Sequence, residues 1–527
     1  MIGNSVSSAA KWPKVAERLV TFCALASVTV AGSALFSPMA KARDMAGPLV
    51  RLSQGQLRGK TGGGIRSFLG IPFAQPPVAA LRWRPPLAAK PWTGVRDATL
   101  FGNDCMQPPS ILSRLSKAPG LSEDCLTLNV WAPEAKGNAR LPVMVWIYGG
   151  SFLGGSASAF DGSALARKGV IVVAANYRTG IFGFLANAQL SAESDKKSSG
   201  NYGLLDQLET LRWIRRNIAA FGGDPGSVTV FGESAGASAV SLLLTSPLAH
   251  GLFERAILES PGAMRPMLRL PEAEAAARAQ VGDITALRAM PAKEVLALQS
   301  GLVPVERNLS RPRILSPIVD GWVVPTDDRA AYVSGRVARV PIIIGGNADE
   351  GRLFTQSWPI KTIDQFRDYV RESFGDRTPQ IMALYAPTKD ADVPSRLSEL
   401  FADTQFNMGY DGIADAMSTL NVPTFRYRFT RQIRGLAPTH GAELPFVFGD
   451  MANPEWTAAD REMSNTMMDA WVRFARTGNP NSNAVPWQRY SRTGRTYLEF
   501  GDVVHSGTLA RSARINYLWQ SSAAARR

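Results

Sequence analysis

The chain is poor in the residues that most often mark function. Its 527 residues hold three histidines and three cysteines. It has no low-complexity tract, no internal repeat and no long linker. That leaves no basis for a fibre, a repeat array or a disordered chain. Beyond residue 42 no apolar run compares with the one near the N-terminus. A clustered basic face interleaved with aromatics is also missing, so nucleic acid is not an expected partner. The formal charge is nonetheless +14, and half of it sits at the ends, +3 over residues 1–42 and +4 from Arg511 onward.

What the N-terminus does have is a targeting pattern. Lys11, Lys14 and Arg18 precede "LVTFCALASVTVAGSALF", an apolar run of 18 residues, and "AKA" at Ala40–Ala42 follows. Charge, apolar run and small residues in that order predict a signal peptide over 1–42 and a secreted or periplasmic product, with no stable membrane insertion after cleavage. An uncleaved anchor is the alternative, and the Ser, Thr and Gly in the run weaken it. Cys23 falls in this leader, and the preceding Phe22 fits poorly with a lipid-attachment site. Cys105 and Cys125 are then the mature chain's single pair. Export predicts a disulfide between them, worth about 3 kcal/mol for a loop of this size; two buried thiols are the alternative.

Residues 43–527 read as one α/β domain. "LPVMVWIYGG" (141–150), "GVIVVAANYR" (169–178), "SVTVFG" (227–232), "VPIIIGG" (340–346) and "TFRYRFT" (424–430) are strand candidates. The first two are continuous apolar runs, as strands buried on both faces require. "NYGLLDQLETLRWIRRNIAAFGG" (201–223) has the helical period, with Leu204, Leu205, Leu208, Leu211, Trp213 and Ile218 as its stripe and Gly222–Gly223 as its stop. Strand and helix alternate, which predicts a mainly parallel central sheet with helices on both faces.

Between the strand "SVTVFG" and a small-residue helix start lies Gly-Glu-Ser-Ala-Gly, 232–236. Gly-x-Ser-x-Gly at such a junction is a nucleophile elbow. Gly232 and Gly236 let strand and helix approach, and Ser234 projects alone. The N–H of Ala235 and the helix N-terminus face any negative charge that develops beside it. A serine hydroxyl needs a base. His250 is too near along the chain and His505 too close to the C-terminus. His440, in "LAPTHGAELPFVFGD", fits the order nucleophile, acid, base. The acid between them is Asp349 or Glu350, directly after the strand "VPIIIGG"; Glu443 is out of order. A second oxyanion donor is expected from the loop in "WIYGGSF" (146–152).

These motifs resemble the type-B carboxylesterases, the α/β-hydrolase family that includes cholinesterases and bacterial para-nitrobenzyl esterases. "FLGIPFAQPPVAALRWRPP" (68–86), "SEDCLTLNVWAP" (122–133), "VFGESAGA" (230–237), "NADEG" (347–351), "HGAELPFVFG" (440–449) and "WVRFARTGNPN" (471–481) all resemble family landmarks, in the family's order and over nearly the whole mature chain. The resemblance implies an α/β-hydrolase fold and a Ser234, Glu350, His440 triad. It implies oxyanion donors at Gly150 and Ser151, in the loop that begins at Gly149, with Ala235 as the third. It further implies a Cys105–Cys125 disulfide, a structural salt bridge between Arg82 and Glu123, and a supporting polar network of Glu233 and Ser260 behind the triad. No metal and no cofactor are implied.

Two departures from the family stand out. Its third loop glycine is Ser151 here, which keeps the N–H but adds a side chain beside the acyl group. The loop 106–124 has no aromatic residue, where cholinesterases place a Trp for cation–π binding, which argues against a choline substrate. The expected function is hydrolysis of a small-molecule carboxylic ester through an acyl-enzyme. The alternatives are a lactone, carbamate, thioester or amide hydrolase with the same triad, and a non-catalytic cholinesterase-like binding protein.

Overall fold

The computed structural model of the chain describes residues 47–110, 112–134, 140–303, 308–510 and 512–524. The leader expected over 1–42 lies outside them. The apolar runs become the middle of one sheet of 11 strands. In chain order these are β1 (Lys60–Gly62), β2 (Ile65–Pro72), β3 (Thr127–Pro133), β4 (Leu141–Ile147), β5 (Ile171–Ala175), β6 (Gly223–Glu233), β7 (Arg255–Glu259), β8 (Ile342–Asn347), β9 (Thr424–Phe429), β10 (Thr496–Phe500) and β11 (Val504–Thr508). Their order across the sheet is β11-β10-β9-β8-β7-β6-β4-β5-β3-β2-β1. Neighbours from β5 through to β10 run parallel, and the pairings outside that block are antiparallel. β5 and β8 are buried along their whole length, because crossover helices cover a parallel sheet.

Helices flank this sheet. α1 (Tyr202–Asn217) buries the predicted leucine stripe, and a short 3-10 turn (Ile218–Phe221) carries the chain to Gly222. Gly222 takes φ 92°, the left-handed cap that glycine allows at least cost. α2 (Ala235–Thr245) starts directly after β6 and is buried throughout. Further on, α3 (Ile363–Phe374), α4 (Thr378–Tyr385), α5 (Val393–Ala402) and α6 (Met408–Thr419) form a helical subregion, with one π-helical turn, Asp403–Asn407, between α5 and α6. Phe366, Ile381, Leu397 and Phe401 anchor there a second hydrophobic core, separate from the one under the sheet. α7 (Ala458–Thr477) packs back on β4 and β6.

Cys105 and Cys125 are joined by a disulfide. Beside it the carboxylate of Glu123 accepts two bonds from Arg82, Nε to Oε1 at 2.7 Å and Nη2 to Oε2 at 2.6 Å. Among the described residues no helix is long and apolar enough to cross a membrane.

Candidate active site

Four neighbouring parallel strands, β6 to β9, end on the same edge of the sheet, and the polar residues singled out from the sequence gather there. Ser234 follows β6 with φ 57° and ψ −122°. That region is strained for a residue with a Cβ, by about 1–3 kcal/mol. The surroundings hold it in place. Its N–H donates to the Glu259 carbonyl, and the N–H and Oγ of Ser238 both donate to its own carbonyl, each at 2.9 Å. A Cβ on Gly232 would stand 2.7 Å from the Gly236 carbonyl carbon and from Ile147 O, so strand and helix meet where a side chain would not fit.

His440 comes from the loop after β9. Its Nδ1 donates to Glu350 Oε2 at 2.5 Å. Glu350 is 1% exposed, and its Oε1 accepts from Ser260 Oγ and from the Asn347 N–H, both at 2.6 Å. Asp349 turns the other way: its carboxylate pairs with Arg352 at 2.9 Å and accepts from Ser398 Oγ at 3.0 Å. His250 and His505 are exposed, and His505 sits on β11 with Nδ1 3.3 Å from the Val503 carbonyl.

Glu233 is placed differently from Ser260. Its Oε1 lies 3.0 Å from His440 Nε2, on the opposite side of the ring from Glu350. The approach is off-line, and Nε2 has no hydrogen-bond partner among the described residues. The imidazole therefore lies between two carboxylates, and the rings of Phe406 and Phe354 flank it with centroids at 4.5 and 5.0 Å. Burial alone would push its pKa down. Glu233 first, then Glu350, outweigh that and hold it well above the ordinary imidazole value. Two more buried glutamates complete the cluster. Burial, then the charges of Glu233 and Glu350, push the Glu443 carboxyl up to about 8. Glu259 is pushed well up by burial and then by Glu443, while Trp471 Nε1 donates to it at 2.7 Å. Both shifts favour the neutral carboxyl, which opposes a build-up of negative charge around the histidine.

The loop after β4 lies directly on the elbow. A Cβ on Gly149 would stand 2.7 Å from Glu233 Oε2 and 2.9 Å from Ser234 Cβ. Gly150 takes φ 118°, and Ser151 and Phe152 follow at 59° and 63°. Two successive side-chain-bearing residues in the left-handed region mark a constrained turn. The Gly150 carbonyl closes it, accepting from Leu153 N–H at 3.0 Å and Gly154 N–H at 3.3 Å. The N–H of Ala235 belongs to the first turn of α2, where no intrahelical acceptor exists. The Gly150, Ser151 and Ala235 N–H groups thus come from two segments that meet at Ser234.

Sequence reading missed several parts of this site. Gln107, from the disulfide-bonded loop, brackets Gly155: its Oε1 accepts from the Gly155 N–H at 2.7 Å and its Nε2 donates to the Gly155 carbonyl at 2.8 Å. Phe354, Phe406 and Glu259 also carried no local signal, since each reaches the site through tertiary packing alone. Among the described residues no group of three or more His, Cys, Asp or Glu side chains is arranged to hold a metal ion.

The profile of the Carboxylesterase family matches residues 46–517. The chain is similar to fumonisin B1 esterase of Sphingopyxis macrogoltabida, 45% identical over 474 residues covering 87% of each chain. It is 37% identical to para-nitrobenzyl esterase of Bacillus subtilis (strain 168), over 85% of this chain and 94% of that one. A solved structure of PNB esterase superposes with a TM-score of 0.80 at 33% identity, covering 90% of this chain and 99% of its own.

Proposed function

Given that the chain belongs to the type-B carboxylesterase family, we propose that it hydrolyses carboxylic esters by a two-step route through Ser234, His440 and Glu350. The observation that carries this reading is the 2.5 Å bond from His440 Nδ1 to Glu350. It commits one ring proton to Nδ1 and leaves Nε2 as the acceptor. His440 Nε2 takes the Ser234 proton as Oγ attacks the ester carbonyl. The Gly150, Ser151 and Ala235 N–H groups stabilise the oxyanion, and Gly149 lets their loop sit against the elbow. The imidazolium, steadied by Glu350, then gives its proton to the departing alcohol. Water next loses a proton to Nε2 and attacks the acyl-serine. The acid leaves and Ser234 recovers its proton.

Two further points belong to the proposal. Export to an oxidising compartment is supported by the leader pattern over 1–42 and by the Cys105–Cys125 bond. The similar proteins include a fumonisin B1 esterase and cocaine esterases, so the family leaves the ester open. The deciding experiment follows hydrolysis of para-nitrophenyl esters of increasing acyl length. Ser234→Ala is expected to lose at least about a thousandfold in kcat. Undiminished turnover in a folded variant would sink the assignment.

A further inference from the structure

Two neighbouring parallel strands, β4 and β5, each lead into a buried tyrosine. Tyr148 follows β4 directly and Tyr177 stands two residues past β5, each 1% exposed. Their rings stack with centroids 4.5 Å apart and planes 20° apart. The hydroxyls are exchanged across the stack. Tyr177 Oη donates to the Tyr148 carbonyl at 2.8 Å. Tyr148 Oη donates to the Tyr177 carbonyl at 3.1 Å and accepts from the Tyr177 N–H at 3.3 Å. Both phenols are thus hydrogen-bonded, as buried polar groups require.

The two hydroxyls hold different parts of the molecule. Tyr177 reaches the backbone where the candidate site is assembled. The Tyr148 carbonyl immediately precedes Gly149, where a Cβ would stand 2.9 Å from Ser234 Cβ. The same carbonyl packs against the start of α2: a Cβ on Gly236 would lie 2.8 Å from it and closer still to the Ile147 carbonyl. Gly236 follows Ala235 directly. One oxygen therefore has Tyr177 on one side and the first turn of α2 on the other.

The rest of the loop is gripped from the same direction. A Cβ on Gly155 would run into the Tyr148 ring and stand 2.6 Å from the Gly149 carbonyl. The Gly180 N–H, three residues past Tyr177, donates to the Phe152 carbonyl at 2.7 Å. The segment after β5 thus holds the loop after β4 at its entry and at its middle. Burial, and after it the charge of Glu233, push the Tyr177 phenol up from the ordinary tyrosine value. The hydroxyl therefore keeps the proton it donates at neutral and mildly alkaline pH.

We propose that Tyr177 is a positioning residue for ester hydrolysis: its hydroxyl, through the Tyr148 carbonyl, sets the spacing between the Gly149–Ser151 loop and α2, and so the convergence of the Gly150, Ser151 and Ala235 N–H groups on the oxyanion. The inference rests on the esterase reading above. Those N–H groups serve an oxygen that becomes negative only as the reaction proceeds, so the effect falls on the transition state rather than on substrate binding. The test measures kcat and KM for a para-nitrophenyl ester, and inhibition by an alkyl trifluoromethyl ketone and its methyl ketone counterpart. Ser234 Oγ adds to the trifluoromethyl ketone carbonyl, its proton passes to His440 Nε2, and an anionic hemiketal oxygen is left where the ester's oxyanion would lie. The methyl ketone stays a mimic of the ground state. Tyr177→Phe keeps the stacked ring. In it kcat is expected to fall about 10- to 100-fold with KM within about threefold, and the affinity ratio of trifluoromethyl to methyl ketone to fall by a similar factor. Tyr148→Phe loses the other hydroxyl and leaves the bond to its own carbonyl in place. It is expected to lower the denaturant midpoint while the ketone ratio holds within about threefold. A ratio unchanged in Tyr177→Phe, or lowered about tenfold or more in Tyr148→Phe, overturns the proposal. A wild type that does not favour the trifluoromethyl ketone overturns the esterase reading and this proposal together; a wild type that favours it, with Tyr177→Phe unmoved, overturns this proposal alone.

Discussion

His440 carries the sharpest residue-level consequence. As the proposed general base it must be neutral before it can accept a proton, and Glu233 and Glu350 favour its charged form. Activity is therefore lost as pH falls through a pKa lying above the ordinary imidazole value of about 6.5. Glu233→Gln removes one of the two charges, so the acid limb of the kcat/KM profile moves to lower pH. A wild-type limb at or below the ordinary value, or a limb that stays put in Glu233→Gln, refutes this account. The same residues show what sequence can and cannot convey. A motif and chain order single out Ser234 and His440 as candidates, and the structure brings both to the same edge of the sheet. Asp349 and Glu350 were not separable by spacing, because adjacent residues in a turn point opposite ways. The structure gives Arg352 and Ser398 to the first and His440 to the second.

Among the elements, the strands and α1 could be read because burial on both faces, or a leucine stripe, writes a period into the chain. The π-helical turn wrote none: one extra residue in a helix leaves composition unchanged and shifts only which side chains face inward. Phe354 and Phe406 likewise reach His440 from separate segments with no shared spacing. The loop proposed to hold the oxyanion depends on its neighbours in a similar way. Gln107 supplies partners for both the N–H and the carbonyl of Gly155. Gln107→Ala leaves those two buried groups unpaired, at a cost of about 1–3 kcal/mol each. The expected result is a lower denaturant midpoint together with a fall in kcat for every ester tried. A drop in stability with kcat intact would detach this contact from the loop's function.

At the scale of the molecule, the disulfide ties the loop that carries Gln107 to β3's approach. Its closed loop spans 20 residues, and such a closure contributes about 3 kcal/mol. The paired Cys105→Ser, Cys125→Ser variant should lose about that much stability, read as a shift in chemical denaturation; an unshifted midpoint would mean the Arg82–Glu123 pair and local packing hold the loop unaided. The two hydrophobic cores have a different consequence. Ser234, Glu350 and His440, the groups proposed to react, hang from strand ends over the sheet's core, while Phe406 belongs to the helical subregion with its own core. The imidazole of His440 is thus braced by two separately packed parts of the chain. A substitution that loosens the packing of Phe366, Ile381 or Phe401 is therefore felt at the Phe406 face of the His440 ring before it reaches the strand ends.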